Sequence, residues 1–246
     1  SVDISVMGLR MLLVFALHSL FWVLFGTVSA KGKVNPFPYL VKVEFYDYYG
    51  NEDCLGVILS SRHIMSFCST KKEHAFIKSL DGGVALNIIE NNADYEPYGK
   101  TGIMMITLPD KIKIGAQSHA ACIPLEKDSP KQAKQVPRMS YLGNSTVVKR
   151  TMKMLPANSC GRATKDGVCL QCTESFQAKF SGDPVFYIDE AKNKIYLMTM
   201  DASKRKCSDK LPPFISAPTW EMASWIKSKI GDKAKGNICK YDWKKQ

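Results

Sequence analysis

Eight cysteines are distributed along the 246 residues, and what they can do depends on the compartment in which the chain folds. The N-terminus addresses that question. Arg10 precedes an apolar run from Met11 to Phe25, and Gly26-Thr27-Val28-Ser29-Ala30 supplies small residues before a polar chain. A basic residue, a short apolar stretch and a small-residue cleavage pattern make a secretory signal peptide. We place it at residues 1–30, with Ser1 to Val6 upstream of a start at Met7 and the mature chain beginning near Lys31. The run is short for a membrane span and His18 interrupts it, so the mature protein is expected to be secreted and extracellular, not membrane-spanning.

In an oxidising compartment an even number of cysteines reads as a disulfide framework. Cys169 and Cys172 form a C-x-x-C, but no second pair at zinc-like spacing accompanies them, so no metal is expected. No cofactor is expected either. The sequon Asn144-Ser145-Thr146 becomes a glycosylation candidate on a surface loop.

The formal net charge of +11 is spread along the chain, with a basic concentration only in the tail, residues 233–246. Stacking-platform motifs are absent, so nucleic acid is not an expected partner. An affinity for acidic glycans or charged surfaces stays open as an alternative.

Short apolar runs alternate with turn-rich stretches. Tyr39 to Tyr46, Leu55 to Leu59, Gly83 to Ile89, Ile103 to Leu108, Val147 to Met154 and Ile195 to Met200 read as strands. Thr219 to Ile230 reads as a helix, with Trp220, Met222, Ala223, Ile226 and Ile230 at mixed three-to-four spacing. Many short strands closed by one terminal helix point to an all-β barrel or sandwich. Pattern alone goes no further.

Ordered motifs do. Pro38-Tyr39-Leu40-Val41-Lys42-Val43 and Cys54-Leu55-Gly56-Val57-Ile58-Leu59-Ser60 resemble the first strands of a trypsin-like domain, where "CGGSLIS" follows a hydrophobic strand. Ile64-Met65-Ser66 resembles "VLT", Ile103-Met104-Met105-Ile106-Thr107-Leu108 resembles "IALLKL", and Cys122-Ile123-Pro124-Leu125 resembles "CLP". Ser181-Gly182-Asp183-Pro184-Val185 is similar to a degraded "SGGPL". Pro212-Pro213-Phe214 followed by Trp225-Ile226 is similar to the family's ending. The marks occur in order from about residue 35 to residue 230. The resemblance is to the chymotrypsin/trypsin-like serine proteases. It implies two packed six-stranded antiparallel barrels with a C-terminal helix over residues 31–232, and an active site between the barrels.

That family's catalysis depends on a nucleophilic serine, a histidine base, an orienting aspartate and an oxyanion hole of backbone N–H groups. By the resemblance, the base position holds Phe67, the residue before the loop cysteine Cys68, and a phenyl ring cannot accept a proton. The orienting position holds Gly102. Ser181 keeps the nucleophile position, but Phe180 stands where the activation aspartate is expected and Lys179 where the oxyanion-hole glycine is expected. His63, His74 and His119 fall elsewhere. The substrate pocket is altered too: Asp201 replaces an entrance-wall glycine, Phe214 a second wall glycine, and Ser175 lies near the base.

The resemblance also implies disulfides. Cys54–Cys68 matches the histidine-loop bridge and Cys160–Cys169 the loop before the serine. Cys172 is the nearest partner for Cys207, and Cys122–Cys239 remains as a tether for the tail. A further family pair is missing as a pair, its positions falling near Pro137 and at Tyr187. The chain therefore resembles a catalytically inactive serine protease homologue of the secreted, arthropod type. The implied role is a binding or regulatory scaffold in an extracellular proteolytic network, with a protease, inhibitor or receptor as partner. Two alternatives stay open: a serine hydrolase of altered mechanism using Ser181, and a basic glycan- or surface-binding module.

Overall fold

A computed structural model describes residues 37–47, 50–68, 74–80, 85–89, 95–99, 101–113, 119–124, 133–143, 146–161, 167–177, 182–189, 191, 194–201, 206–216, 219 and 221–231. All belong to a compact unit running from Asn35 to Gln246. The expected signal peptide and basic tail lie outside the described residues.

The first half supplies seven strands: β1 Leu40–Asp47, β2 Gly50–Ile58, β3 His63–Phe67, β4 His74–Ser79, β5 Ala85–Ile89, β6 Tyr95–Pro97 and β7 Ile103–Thr107. They form one antiparallel sheet in the order β5-β4-β1-β2-β3-β7-β6. In β1 the alternation of Val41, Val43 and Phe45 with Lys42, Glu44 and Tyr46 sends the apolar set into one buried cluster with Ile64, Ile77 and Ile106. At Gly56 a β-carbon would lie 2.6 Å from Ile64 Cγ2 and 3.0 Å from Val41 Cγ2 and Val43 Cγ2, so the absence of a side chain there lets three neighbours meet.

The second half supplies β8 Ala133–Gly143, β9 Thr146–Leu155, β10 Val168–Cys172, β11 Phe176–Gln177, β12 Asp183–Asp189, β13 Lys194–Asp201, β14 Lys206–Cys207 and β15 Phe214–Ser216. Six of these form a sheet in the order β13-β12-β8-β9-β10-β15, while β11 and β14 pair with each other. Its inner face buries Val136, Met152, Leu170, Val185, Met198 and Phe214. The outer faces of both sheets meet in a third cluster, where Leu55, Val57, Met65 and Met105 pack with Met139, Phe186, Leu197 and Met200. Two curled antiparallel sheets with one terminal helix match the expected architecture. The first sheet has seven strands where six were expected, because Tyr95–Pro97 adds a three-residue strand against β7.

The helix α1 spans Ala223–Ile230, four residues shorter at its start than the apolar spacing predicts. Thr219 is committed elsewhere: its N–H donates to Met198 O at 2.9 Å and its hydroxyl to Leu197 O. Those bonds moor it to β13. Met222 and Ile226 then insert into the cluster between the sheets, Trp225 packs on Tyr98 with ring centroids 5.0 Å apart, and Lys229 pairs with Glu96.

The bridges Cys54–Cys68, Cys160–Cys169 and Cys172–Cys207 are present as expected. Cys122 is also disulfide-bonded; its expected partner Cys239 lies outside the described residues. Asn144 does too, between Gly143 and Thr146, which pair across the β8–β9 hairpin.

Candidate functional site

β3 ends at Phe67, next to the Cys54–Cys68 bridge. Ser66 fixes this corner from beneath: its hydroxyl donates to Leu55 O at 2.8 Å and lies 3.2 Å from Cys68 Sγ. Phe67 also pairs with Ile103, the first residue of β7, so Gly102 arrives beside the phenyl ring. A β-carbon on Gly102 would lie 2.7 Å from Phe67 Cε2 and 2.8 Å from Cζ, and the residue has φ +80°. The ring therefore occupies the volume a side chain at 102 would need, over a backbone conformation that L side chains rarely adopt.

A third residue joins them from the other sheet. Gly182, with φ +85°, immediately precedes β12; a β-carbon on it would lie 2.6 Å from Phe67 Cβ and 2.7 Å from Phe67 O. The second of these contacts is with backbone, which a rotamer change cannot relieve. Its N–H donates to Asp201 O at 2.8 Å. Three positions separated by 35 and 80 residues in the chain thus meet at one half-buried residue, Gly102 against the ring of Phe67 and Gly182 against its β-carbon and backbone. Lys179, Phe180 and Ser181 lie outside the described residues; Gly182 follows them directly.

Beneath Gly182 lies a charged network that the sequence reading missed. Arg138 on β8 is wholly buried. Its Nε donates to Asp183 Oδ2 at 3.0 Å and its Nη1 to Asp201 Oδ2 at 2.8 Å, while Ser140 Oγ donates to the same Asp183 oxygen at 2.6 Å. Burial pushes the Asp183 carboxyl up, opposed by the Arg138 charge and by the hydrogen bonds from Ser140 and Arg138. A buried cation bonded to two carboxylates stitches β8, β12 and β13 together where, among the described residues, Val185 and Arg138 are the register partners between β12 and β8. The local pattern gives no sign of it, because Arg138 sits beside Pro137 in a strand that also holds Lys134, Gln135 and Ser140; once buried, an arginine must find a counter-charge. Asp183, standing where the "SGGPL"-like pattern has glycine, is that counter-charge.

The residues assigned to the pocket by the resemblance have these surroundings. Asp201 is buried in the Arg138 network. Phe214 is buried in the second sheet's inner cluster and pairs with Leu170. Ser175 is exposed, its hydroxyl 3.2 Å from Ser208 Oγ. Among the described residues, His63, His74 and His119 lie elsewhere than the Phe67 corner in the order of strands. His63 opens β3 at the opposite end of the strand, bonded to Ser60 Oγ through Nδ1 at 2.7 Å, and burial, followed by the Arg62 charge, lowers its pKa. His74 is exposed at the start of β4, and His119 donates its N–H to Pro38 O.

No family model matches the sequence, and no curated protein matches it. Solved structures do. Kallikrein-related peptidase 10 superposes with a TM-score of 0.61 at 17% identity, over 80% of this chain and 98% of that one. A scabies mite inactivated protease paralogue superposes with a TM-score of 0.59 at 18% identity, over 81% of this chain and 97% of that one. The fold is trypsin-like. At these identities the likeness is one of fold. A disulfide-rich chain with a trypsin-like fold is of a kind typical of secreted proteins.

Proposed function

We propose that this chain is a secreted, non-catalytic homologue of the trypsin-like serine proteases that acts by binding, as a scaffold or regulator in an extracellular proteolytic network. The observation that carries this reading is the interlock of Phe67 with Gly102 and Gly182. By the motif correspondence, Phe67 stands at the position of the base and Gly102 at that of its orienting carboxylate. A general base must come within hydrogen-bonding reach of the proton it takes; here a hydrocarbon ring fills the space. A serine hydroxyl without a base is a weak nucleophile, so Ser181 alone restores nothing. Lys179 and Phe180 remove the oxyanion-hole glycine and the activation aspartate at the same time. Losing base, orienter and oxyanion support together leaves the fold as a surface for a secreted partner, either a protease, an inhibitor or a receptor.

The test is direct. The mature chain is assayed on ester and peptide substrates and treated with a fluorophosphonate probe, with Ser181→Ala as control. The expected result is no turnover and no labelling above the control. Stoichiometric labelling at Ser181, with turnover abolished by Ser181→Ala, would overturn the reading in favour of a hydrolase of altered mechanism.

A further inference from the structure

Thiol–disulfide exchange starts when an outside thiolate attacks one sulfur of a bridge, so access governs which bridge reacts. Cys54, Cys68, Cys122, Cys169, Cys172 and Cys207 are all buried, between 0% and 6% exposed. Cys54 and Cys68 belong to the inner cluster of the first sheet, Cys172 and Cys207 to that of the second. Cys160 differs. Among the described cysteines it is the one that is not buried, and Asn158, Ser159 and Gly161 around it are exposed.

Local structure explains the difference. Cys160 ends a single 3-10 turn, Ala157–Cys160, which has no side-chain cap at either end. Ser159 N–H donates to Pro156 O at 2.9 Å, and Gly161 N–H makes a long bond to Asn158 O at 3.4 Å. Gly161 then leaves the turn at φ +88°, with open space where a β-carbon would stand. The other end of the bridge is anchored. Cys169 lies in β10 between its register partners Leu155 on β9 and Ile215 on β15. The two cysteines are 9 residues apart, against 14 and 35 for Cys54–Cys68 and Cys172–Cys207. In the chain-entropy model a shorter closed loop contributes less to stability. Breaking this bridge therefore frees a turn and leaves the β9–β10–β15 ladder in place, a local opening and not a global one.

We propose that Cys160–Cys169 is a thiol-exchange site, where Cys160 takes up a small extracellular thiol as a mixed disulfide and the turn at 156–161 is released. The incoming thiolate forms a bond to Cys160 Sγ as the bond between Cys160 and Cys169 breaks. The electron pair leaves with Cys169 Sγ, which takes a proton and remains as a buried thiol. The adduct thus sits on the exposed residue and the free thiol on the buried one. Attack by a second thiol on Cys160 Sγ's adduct releases the small-molecule disulfide and leaves both cysteines reduced. The inference does not depend on the non-catalytic reading, because it involves neither Ser181 nor the Phe67 corner.

The probe is reduced glutathione, added to the folded mature chain at mildly alkaline pH. Samples taken over time are quenched with acid, alkylated with N-ethylmaleimide and mapped by peptide mass spectrometry, while circular dichroism follows the fold. Glutathione on Cys160 with maleimide on Cys169 is expected roughly tenfold sooner than any label on the other six cysteines. Maleimide on both Cys160 and Cys169 should follow as the second exchange proceeds. The circular dichroism is expected to stay unchanged through both steps. The proposal is overturned if another bridge reacts first or if the first adduct is on Cys169. It is equally overturned if Cys160 and Cys169 react only as the fold is lost.

Discussion

Gly102 and Phe67 act as one structural unit, because the ring of the second fills the space a side chain at the first would need. Two costs attach to Gly102→Ala: a positive φ, worth about 1 kcal/mol, and overpacking against the ring, worth about 1–3 kcal/mol. Phe67→Ala removes the second cost and leaves the first. A double-mutant cycle in urea should therefore give a coupling energy of about 1–2 kcal/mol between the two sites. Strict additivity would mean that the ring does not fill that space. The same reasoning explains why Phe67→His with Gly102→Asp is not expected to restore a protease: the aspartate would still have to adopt φ +80°. The buried network makes a second residue-scale prediction. Arg138→Met leaves Asp183 and Asp201 buried without their cation and should cost about 3–5 kcal/mol by denaturant midpoint at constant m. Adding Asp183→Asn and Asp201→Asn should recover part of that loss. If the triple variant is no more stable than Arg138→Met, the charges are not what holds the three strands together.

At the scale of elements, legibility depended on whether burial followed the strand period. β1, β9 and β13 alternate or run apolar long enough to be read directly, and their observed bounds lie within a residue or two of expectation. β3, the pentapeptide His63–Phe67, is too short for a pattern to establish itself, and β8 carries Pro137 and Arg138 in its middle. There the competing fact is tertiary: Arg138 is buried only because β12 and β13 bring two aspartates to it, and no local pattern carries that information. Something similar holds for the interlock. Ordered motifs could assign Phe67 and Gly102 to their positions, but that the ring and the glycine share one volume is a property of the β3–β7 register. The β8–β9 hairpin carries its own prediction. Gly143 and Thr146 pair across its end, with Leu142 and Thr146 exposed, so the sequon that ends at Thr146 is expected to accept a glycan in a eukaryotic secretory pathway. Glycosidase digestion should raise the electrophoretic mobility of the secreted chain. Asn144→Gln and Thr146→Ala should each abolish that change, and a wild-type chain insensitive to the enzyme would refute the assignment.

For the whole molecule, two carboxylates on opposite halves respond to acid in opposite senses. Glu44, on the first sheet, accepts hydrogen bonds from Lys42, Lys78 and Tyr46. Burial alone would raise its pKa, but the bonds outweigh it and hold the group at about 2, against an ordinary 4.5. A carboxyl whose folded pKa is depressed contributes stability above its unfolded value, and that contribution is lost as pH falls from about 4.5 towards 2. Asp183, on the second sheet, is shifted the other way by burial. The folded state binds its proton more readily than the unfolded chain does, so its contribution rises as pH falls towards 3.8. As pH falls towards about 4.5 the Asp183 term moves in favour of the fold while the Glu44 term is still intact; below that the Glu44 term is progressively lost. Thermal midpoints measured from pH 7 to pH 2.5 should show this split. Glu44→Gln should flatten the fall below about pH 4.5 and leave the region above it unchanged, whereas Asp183→Asn should alter the profile only above about 3.8. If Glu44→Gln leaves the acid limb as steep as in the wild type, the cluster of Lys42, Lys78 and Tyr46 around Glu44 does not govern acid stability. The loss would then have to come from repulsion as the +11 charge grows on protonation, and added salt would relieve it.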